Sequence, residues 1–514
     1  MKFFKDHYEV VIVGGGLAGM AAALQLQEKG VEDILVLEKH NLPGGLATDY
    51  VRHGFEMEAT LHEMMSIGPK GNRMKVGQFF DDQGVDIDWL LLPECYRVAI
   101  PNENIDITIH EGLERAAKEI DLQVPGAYQP VLDLLKLCDK VCNSMLALGE
   151  GTPKPWEMLT THKEFVKTLG YSALEVMHSF PIQEKAIKML SPYWIYVGEP
   201  LDTLPFSVYA FLMADYLKGS YVCRGFSHEI SLKMQDRLEK NGAQYEYCQE
   251  VDKILVENGK AIGVRTKNGD EIHCDNVICS AYPDKVYTSM IEPLSAVPED
   301  AIKVVNSKRL SVVPVSIMMI LEGEPKDLGI DNYSTFSGDT MDTREIFENG
   351  KQLGEPYNYI TSICLNYGNP DCVPKGYTQF SITSLVNVKP FENKVTEENY
   401  HEVKRLLANQ MIEKYMEIGG VDLREYIVEI EVSTPMTISH YVGAWKGAIY
   451  GYSHSMDDHV IARMIQHQKG AEKFFDNLYF AGAHSPGGDG MGPQISNGRG
   501  AAMDLLNDKE EVRA

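Results

Sequence analysis

The pattern of hydrophobic and polar positions predicts an α/β protein. Residues 8–13, YEVVIV, form a continuous β-branched run typical of a buried parallel strand. Residues 21–30, AAALQLQEKG, then have the composition of a helix, and residues 34–38, ILVLE, form a second strand. A strand, a helix and a second strand in this order indicate the start of a Rossmann-like domain.

The middle of the chain predicts a second domain. Residues 110–240 are mostly helical in pattern, with a Gly/Pro-rich break at GEGTPKPWEM, and indicate an inserted helical subdomain. Residues 191–213 are dense in aromatic and aliphatic side chains, which suits either an ordinary core or the lining of an apolar substrate tunnel. Strands are expected at 311–323 and 377–386, and a long helix at 397–420.

Residues 227–290 predict a return to the first domain. A helix at 227–242 is followed by one strand at 243–259, then by the segments AIGVRTKNG and EIHCDNVICSAYP, which are expected to form further strands. The C-terminal segment 477–506 predicts a strand, a glycine-rich loop and a helix of small residues that begins near Gly492.

The first candidate binding motif is formed by the glycines that follow the first strand. Gly14, Gly16 and Gly19 form G-x-G-x-x-G, with Leu17 and Ala18 between the last two. These glycines allow a tight turn, close approach of the main chain to a pyrophosphate, and close packing of helix on strand. Glu38, nineteen residues after Gly19, stands where an acid accepts hydrogen bonds from ribose hydroxyls, so the pattern predicts a dinucleotide site.

Two further segments carry a family resemblance. Residues 43–48, PGGLAT, and 54–62, GFEMEATLH, resemble motifs of the phytoene desaturase, carotenoid isomerase and retinol saturase family, whose members are flavoproteins related to amine oxidases. Three departures stand out: Leu46 replaces a basic residue, Glu58 replaces Asp, and Thr60 replaces Gly. The resemblance spans nearly the whole chain and is most specific at its two ends.

The resemblance implies FAD as the cofactor and a discontinuous Rossmann-like FAD-binding domain with an inserted α+β substrate domain. The FAD-binding domain is expected at 1–70, 220–290 and 470–514, and the substrate-binding domain, with its helical subdomain, at 71–219 and 291–469. The cofactor contacts implied by the motifs and the resemblance together are Gly14, Gly16, Leu17, Ala18, Gly19, Glu38, Lys39, Gly44, Gly45, Leu46, Ala47, Thr60, Leu61, Val251, Gly482, Ala483, Gly490, Met491, Gly492 and Ile495.

Composition excludes several classes of function. The formal net charge of −26 disfavours binding to nucleic acid or to anionic lipid head groups, so any membrane contact is expected to be apolar and peripheral. The nine cysteines are scattered without a C-x-x-C pair, and Cys138 and Cys142 at helical spacing are read as packed thiols. No metal site is expected. The apolar run after Lys2 and Lys5 leads straight into glycines, so it is read as a strand of a cytoplasmic protein.

The resemblance also implies hydride transfer to or from flavin N5 with an apolar, often polyunsaturated substrate. Desaturation, saturation and isomerisation stay open, as does the diffusible electron donor or acceptor. An amine oxidase or protoporphyrinogen oxidase-like enzyme is the alternative, with Tyr441, Trp445, Tyr450, Tyr452 and His454 as an aromatic cage. A flavoprotein that binds lipid without turnover is a third class.

The residues proposed for catalysis are His62, Arg224, Tyr441, Trp445 and Tyr450. The resemblance places His62 on the approach to the flavin, where it either donates the proton that accompanies hydride or orders the pocket through hydrogen bonds. The sequence favours the ordering role slightly, because nothing in it shows that the enzyme saturates a substrate.

Overall fold

The computed structural model describes residues 4–60, 62–150, 154–459, 462–463 and 473–513. Its strands are β1 (His7–Val13), β2 (Ile34–Leu37), β3 (Asp49–Arg52), β4 (Phe55–Glu58), β5 (Trp89–Leu91), β6 (Tyr96–Ile100), β7 (Ile105–Ile109), β8 (Tyr221–Cys223), β9 (Gln244–Glu246), β10 (Val251–Glu257), β11 (Lys260–Thr266), β12 (Glu271–Cys279), β13 (Ile291–Glu292), β14 (Val313–Glu322), β15 (Ser334–Gly338), β16 (Tyr359–Cys364), β17 (Tyr377–Val386), β18 (Ile427–Ser433) and β19 (Leu478–Phe480).

The helices, apart from short 3-10 and π turns, lie between and after these strands. They are α1 (Leu17–Glu28), α2 (Lys75–Asp82), α3 (Leu113–Gln123), α4 (Tyr128–Glu150), α5 (Pro155–Thr160), α6 (Lys163–Thr168), α7 (Ala173–His178), α8 (Glu184–Met189), α9 (Phe206–Tyr216), α10 (Phe226–Lys240), α11 (Pro283–Lys285), α12 (Glu299–Ser307), α13 (Thr343–Asn349), α14 (Leu365–Gly368), α15 (Val388–Lys394), α16 (Tyr400–Glu417), α17 (Pro435–Val442) and α18 (Met491–Arg513).

The first sheet has the strand order β13-β10-β11-β12-β1-β2-β9, and β19 pairs with β12. Strands β9, β2, β1, β12 and β19 are parallel along their pairings, so their carboxyl ends share one edge of the sheet. The glycines that follow β1, the acid that follows β2 and the loop that follows β19 therefore meet at this edge. Ligands of open α/β sheets bind in a crevice at that edge.

The two ends of the chain pack directly against each other. Helix α1 lies against α18, and a Cβ added at Gly498 would clash with the carbonyl oxygen of Ala18. The small residues of α18 thus allow the helix backbones to approach closely. This contact fixes the C-terminal glycine loop, which precedes α18, beside the N-terminal one.

The second sheet has the order β18-β14-β17-β16-β15-β6-β7 and is antiparallel except between β15 and β6. Its β14, β17 and α16 confirm the strands expected at 311–323 and 377–386 and the helix expected at 397–420. Strands β6 and β7 were not predicted, although both alternate buried with less buried residues. They join residues 96–109 to this sheet ahead of the helices α3 to α9.

The single strand expected at 243–259 was wrong. Residues 244–257 form two strands, β9 and β10, which lie at or near opposite edges of the first sheet. The chain turns between them at Cys248, whose φ of 56° is left-handed, and passes the carboxyl end of β2, where the Gln249 N–H donates to Glu38 O. Alternation of apolar residues across the turn made the two strands look continuous.

Candidate cofactor cradle and aromatic site

The first glycine loop joins β1 to α1 and leaves room for a ligand at one position. Gly14 has a φ of 103°, and a side chain at Gly19 would clash with the carbonyl oxygen of Gly14. Gly16, which caps α1, has an ordinary φ of −75°, and a Cβ there would come no closer than 3.7 Å to another protein atom. The protein's own packing thus requires Gly14 and Gly19 to be glycine, but it does not require this of Gly16.

The second glycine loop is hydrogen-bonded to the first. The Gly44 N–H donates to Gly15 O at 2.9 Å, and both Gly44 and Gly45 have positive φ, at 100° and 64°. Helix α10 braces the same loop, because the Ser231 hydroxyl donates to Ala47 O at 2.6 Å. The loops and the amino end of α1, with Leu17 and Ala18 in its first turn, form one preassembled unit.

Glu38 lies at the end of β2 and is buried. Its carboxylate accepts hydrogen bonds from the N–H of Gly15 at 2.7 Å and of His40 at 2.8 Å, which leaves further lone pairs for a ligand. The chain between β9 and β10 runs beside it, since Gln249 N–H donates to Glu38 O at 2.8 Å. Val251, at the start of β10, follows this contact with Glu38 by two residues. Lys39 turns away and donates to His440 O at 2.9 Å.

The C-terminal glycine loop, residues 481–490, is held by two side chains of α18, Gln494, which donates to Gly488 O at 3.1 Å, and Asn497. Asn497 Nδ2 donates to the carbonyl oxygens of Gly482 and Gly488, both at 2.9 Å, and its Oδ1 accepts from Gly487 N–H at 3.0 Å. Gly490, with a φ of 89°, then turns the chain into α18. Ala483 lies within this loop, Met491 and Gly492 begin the helix, and Ile495 is buried in the core.

His484, in the same loop, is buried with no hydrogen-bond partner for either ring nitrogen in the described part of the chain. Burial lowers its pKa to about 3, so the ring is neutral at physiological pH. A buried neutral imidazole with one donor and one acceptor unused fits a site that receives a polar ligand.

Together these features fit an adenine dinucleotide. The space at Gly16, the free lone pairs of Glu38 and the unpartnered ring of His484 lie along the crevice at the carboxyl ends of β1, β2 and β19. The amino end of α18 adds a positive helix terminus, which favours negative charge on a bound group.

Leu46, Glu58 and Thr60, the three residues that depart from the family pattern, are connected by hydrogen bonds. Thr60 Oγ1 donates to Leu46 O at 2.7 Å, and Thr60 N–H donates to Glu58 Oε1 at 3.3 Å. Glu58 also accepts from the N–H of Ser227 at 2.8 Å and from its hydroxyl at 2.6 Å. The departures therefore form one connected unit that joins the second glycine loop to the segment that follows Thr60. Leu61, predicted to contact the cofactor, lies outside the described residues.

The segment from His62 to Met65 leads to the start of α18, where a Cβ at Gly492 would lie 3.8 Å from Met65 O. His62 is held on this segment at both ring nitrogens. Nδ1 lies 3.1 Å from Thr60 O, and Nε2 lies 3.2 Å from the Tyr196 hydroxyl. Burial lowers the pKa of His62 to about 4, which makes it a poor proton donor at neutral pH.

Beside His62 stands a wall of aromatic rings from the helical region and the second sheet. Tyr196 lies 5.4 Å from His62 and 5.6 Å from Tyr216 between ring centroids, and Tyr193 stacks on Tyr216 at 4.4 Å. Phe336 of β15 closes the group at 6.0 Å from Tyr196. We call these four residues, Tyr193, Tyr196, Tyr216 and Phe336, the aromatic wall.

Sequence reasoning missed Glu63, which directly follows His62. Its carboxylate is buried, Oε1 accepts a hydrogen bond from Tyr196, and Oε2 has no partner among the described residues. Burial raises the pKa of Glu63 to about 7, although the nearby Tyr196 and Ser220 hydroxyls favour the ionised form. The available signal was an acid directly followed by apolar residues, in the sequence HEMM.

The structure does not support Arg224 as a catalytic residue. Its guanidinium is partly exposed and pairs with Asp88 at 2.8 Å and with Asp371. Tyr441 is also half exposed and packs against His40 and His440, on the side of the cradle where Lys39 bonds to α17. The structure assigns both residues to surface contacts.

The proposed aromatic cage does not converge. Tyr452 donates to Asp284 at 2.5 Å and packs edge-on against Tyr282, while the ring of His454 lies 3.4 Å from Asp489. Trp445 is partly exposed beside Lys446. Tyr450 instead packs against the helical core, close enough to Tyr216 to influence its ionisation. Of these residues only Tyr450 adjoins the aromatic wall.

Among the residues that the structure describes, no group of three or more His, Cys, Asp or Glu side chains is arranged to hold a metal ion. In the same residues, no helix is both long and apolar enough to cross a bilayer.

Comparison with known proteins gives a family and a fold. The family described as "Flavin containing amine oxidoreductase" matches residues 17–345. An all-trans-retinol 13,14-reductase of Danio rerio is 25% identical over 487 residues, which cover 88% of this chain and 78% of that protein. A prolycopene isomerase of Daucus carota is 24% identical over 459 residues, covering 86% and 72%. The crystal structure of an oxidoreductase from Methanosarcina mazei has the same fold, with a TM-score of 0.63, 16% identity and coverage of 97% and 100%.

Proposed function

This chain belongs to the flavin containing amine oxidoreductase family, and from that premise we propose that it moves hydride between FAD and carbon–carbon bonds of an apolar, polyunsaturated substrate. Carotenoids, retinoids and similar lipids are the substrate class. The names of the two relatives, an isomerase of a carotenoid and a reductase of a retinoid, support this class.

Each part of the cradle has a proposed task toward FAD. The first glycine loop and the amino end of α1 hold the pyrophosphate, Glu38 accepts from the ribose hydroxyls, and Val251 contacts the adenine. The C-terminal loop and the amino end of α18 contact the pyrimidine edge of the flavin. The bound flavin supplies or accepts hydride, and the protein positions the substrate and excludes water.

The observation that carries the proposal is the aromatic wall beside His62. It packs beside His62 as a group of mostly buried aromatic rings, of which Tyr193 and Tyr216 are stacked, and contacts of this kind suit a planar conjugated chain. Residues 71–219 and 291–469 supply this wall, consistent with our division of the chain into an FAD-binding and a substrate-binding domain. Apolar substrates need such a surface more than they need charged groups.

Amine oxidation is the second candidate, because the family description includes it. The scattered positions of Tyr441, Tyr450 and Tyr452 speak against an aromatic cage for an amine. One dinucleotide signature in the sequence further favours a diffusible electron donor or acceptor over a second, permanently bound nicotinamide.

A small apolar surface on α5 supports peripheral membrane contact. Trp156 and Leu159 lie one helical turn apart and are 59% and 70% exposed. Lys154, Lys163 and Lys167 flank them in a chain whose net charge is −26. Exposed aromatic and aliphatic residues flanked by lysines suit the interface of a bilayer, from which a lipid-like substrate would be drawn.

The test has two steps. The purified protein should release intact FAD on denaturation; recovery of FMN alone, or of no flavin after reconstitution, would contradict the cofactor. Photoreduced protein is then mixed anaerobically with all-trans-retinol or with a carotenoid polyene, and oxidised protein is mixed anaerobically with a primary amine. Reoxidation by a polyene supports the proposal. Reduction of the oxidised flavin by the amine, without any response to polyenes, would favour the second candidate.

A further inference from the structure

The Glu63, Tyr196 and His62 side chains form a continuous hydrogen-bonded chain. The Tyr196 hydroxyl is within hydrogen-bond distance of both Glu63 Oε1 and His62 Nε2, and His62 Nδ1 faces Thr60 O. A carbonyl oxygen only accepts, so Nδ1 carries the hydrogen of the neutral ring and Nε2 offers a lone pair. The hydroxyl has a single hydrogen for two acceptors.

This hydrogen count decides which state of Glu63 the chain accommodates. With Glu63 protonated at Oε1, its O–H donates to Tyr196, and the Tyr196 O–H donates to His62 Nε2, so both contacts of the hydroxyl are hydrogen bonds, while Oε2 has no partner among the described residues. With Glu63 ionised, the Tyr196 hydrogen goes to the carboxylate, and Nε2 loses its donor. Unmet hydrogen bonds in a buried site are unfavourable, so the Tyr196–His62 contact, like burial, favours a protonated Glu63 and opposes the pull of the Tyr196 and Ser220 hydroxyls towards the ionised form.

Among the described residues, no cation compensates Glu63. The titratable groups that face it come from its own segment, from the loops before β6 and β15, and from the helical region; they are His62, Cys95, Tyr193, Tyr196, Tyr216 and Tyr333. The charged neighbours of this set are acids, with Asp215 and Asp489 beside Tyr216, Glu94, Glu111 and Glu119 beside Cys95, and Glu58 beside Tyr333. Burial accordingly raises the pKa of Glu63 to about 7, within reach of physiological pH.

We propose that Glu63 holds the proton that accompanies hydride transfer in this site and exchanges it with the substrate through the Tyr196 hydroxyl. This inference rests on the proposed function. Tyr196 belongs to the aromatic wall, whereas His62 orients its hydroxyl. Glu63 is therefore a positioning and proton-holding residue that acts through Tyr196.

In the direction of saturation, one hydride and one proton add across a double bond of the substrate. Hydride from the reduced flavin forms one C–H bond with both of its electrons, and the substrate π bond breaks. The Tyr196 hydrogen forms the second C–H bond as a proton, and the Glu63 carboxylic acid reprotonates the tyrosine oxygen. The flavin ends oxidised, the substrate reduced and Glu63 ionised, until it takes a proton from water. Desaturation runs the same transfers in reverse.

The first measurement uses the flavin-loaded protein without substrate. Infrared spectra between about pH 5 and pH 9 should contain a carboxylic-acid C=O band that disappears with a midpoint of about 7. Glu63→Gln should remove this band and leave the acid band of Asp49, whose pKa burial raises to about 8. Glu94→Gln, which removes another buried carboxylate bonded to the Tyr333 N–H, should retain the band of Glu63. Absence of the band from the native protein, or its survival in Glu63→Gln, would overturn the proposal.

The second measurement follows reoxidation of photoreduced enzyme by all-trans-retinol, normalised to bound flavin. Glu63→Gln and Tyr196→Phe should each slow the step by about 100-fold and flatten its pH profile near neutrality, the usual scale for one acid group. His62→Gln should keep the pH profile. A native profile in Glu63→Gln overturns the inference. If native enzyme ignores retinol and other polyenes, the proposed function fails, and the infrared result alone decides whether Glu63 holds a proton.

Discussion

The cofactor cradle and the aromatic site are built in opposite ways. The cradle joins its two glycine loops, Glu38 and the end of α18 through main-chain hydrogen bonds and close backbone contacts. The aromatic site joins single side chains, such as His62, Tyr196 and Phe336, that lie far apart in the sequence. The cradle is thus held together by main-chain groups of neighbouring loops, whereas the chemistry beside it depends on the packing of separate elements.

This difference predicts that the two regions respond separately to substitution. Changes in the cradle should alter flavin loading with little effect on the fold, because the ligand space is not filled by protein atoms. Changes in the aromatic site should alter proton transfer at unchanged loading, as the Glu63 experiment tests.

The largest effect is expected for Gly16→Val. The protein tolerates a Cβ at this position, so the variant should fold, but the side chain would occupy the space reserved for pyrophosphate and abolish FAD loading. Absorbance of bound flavin and circular dichroism measure the two properties. Gly170→Val, at a glycine with open space around it, is the control and should keep its flavin. Full flavin occupancy in Gly16→Val would show that the loop does not hold phosphate.

His484 should make stability depend on pH in the acid range. Its folded pKa, about 3, lies below the unfolded value of 6.5, so the unfolded state gains a proton first, and stability falls as pH drops below 6.5. At pH 4.5 this amounts to roughly 2–3 kcal/mol relative to neutral pH. When the pH is lowered from 7.5 to 4.5, the free energy of unfolding should therefore fall in both proteins, and it should fall by this amount less in His484→Asn than in the native protein. Equal losses in chemical denaturation would contradict the burial of a neutral ring.

Glu38→Ala should weaken FAD binding by about 1.5–3 kcal/mol, the range for hydrogen bonds to a charged group. Flavin release measured by fluorescence gives the affinity. Glu32→Ala, on the exposed connection before β2, is the matched control. Unchanged affinity in Glu38→Ala would mean that the carboxylate serves only the Gly15 and His40 N–H groups.

The smallest effect is expected for Arg224→Gln, which lies outside both regions. Loss of its surface pairs with Asp88 and Asp371 should leave flavin occupancy and turnover per bound flavin unchanged. A selective loss of turnover at full flavin occupancy would support a catalytic role for Arg224, contrary to its position in surface ion pairs.

The cradle was largely readable from the sequence because its requirements are local. A glycine that must avoid a backbone clash, as at Gly19, or an acid at the end of a strand, as at Glu38, follows from a few neighbouring residues. The aromatic site was only partly readable. His62 was found through the family resemblance, but its partner Tyr196 was indistinguishable from an ordinary core residue in an aromatic segment.

The sequence by itself determined the Rossmann-like start, the pairing of the two chain ends in one domain, and the flavin family, since each depends on short motifs with fixed spacing. The tertiary structure decided which dispersed side chains meet. It placed Arg224 and Tyr441 on the surface and divided the strand expected at 243–259 between two parts of a sheet. It also set Glu63 against Tyr196 in a site to which no described residue contributes a cation. Burial and hydrogen-bond partners set the protonation of such a group, and both arise from residues distant in sequence.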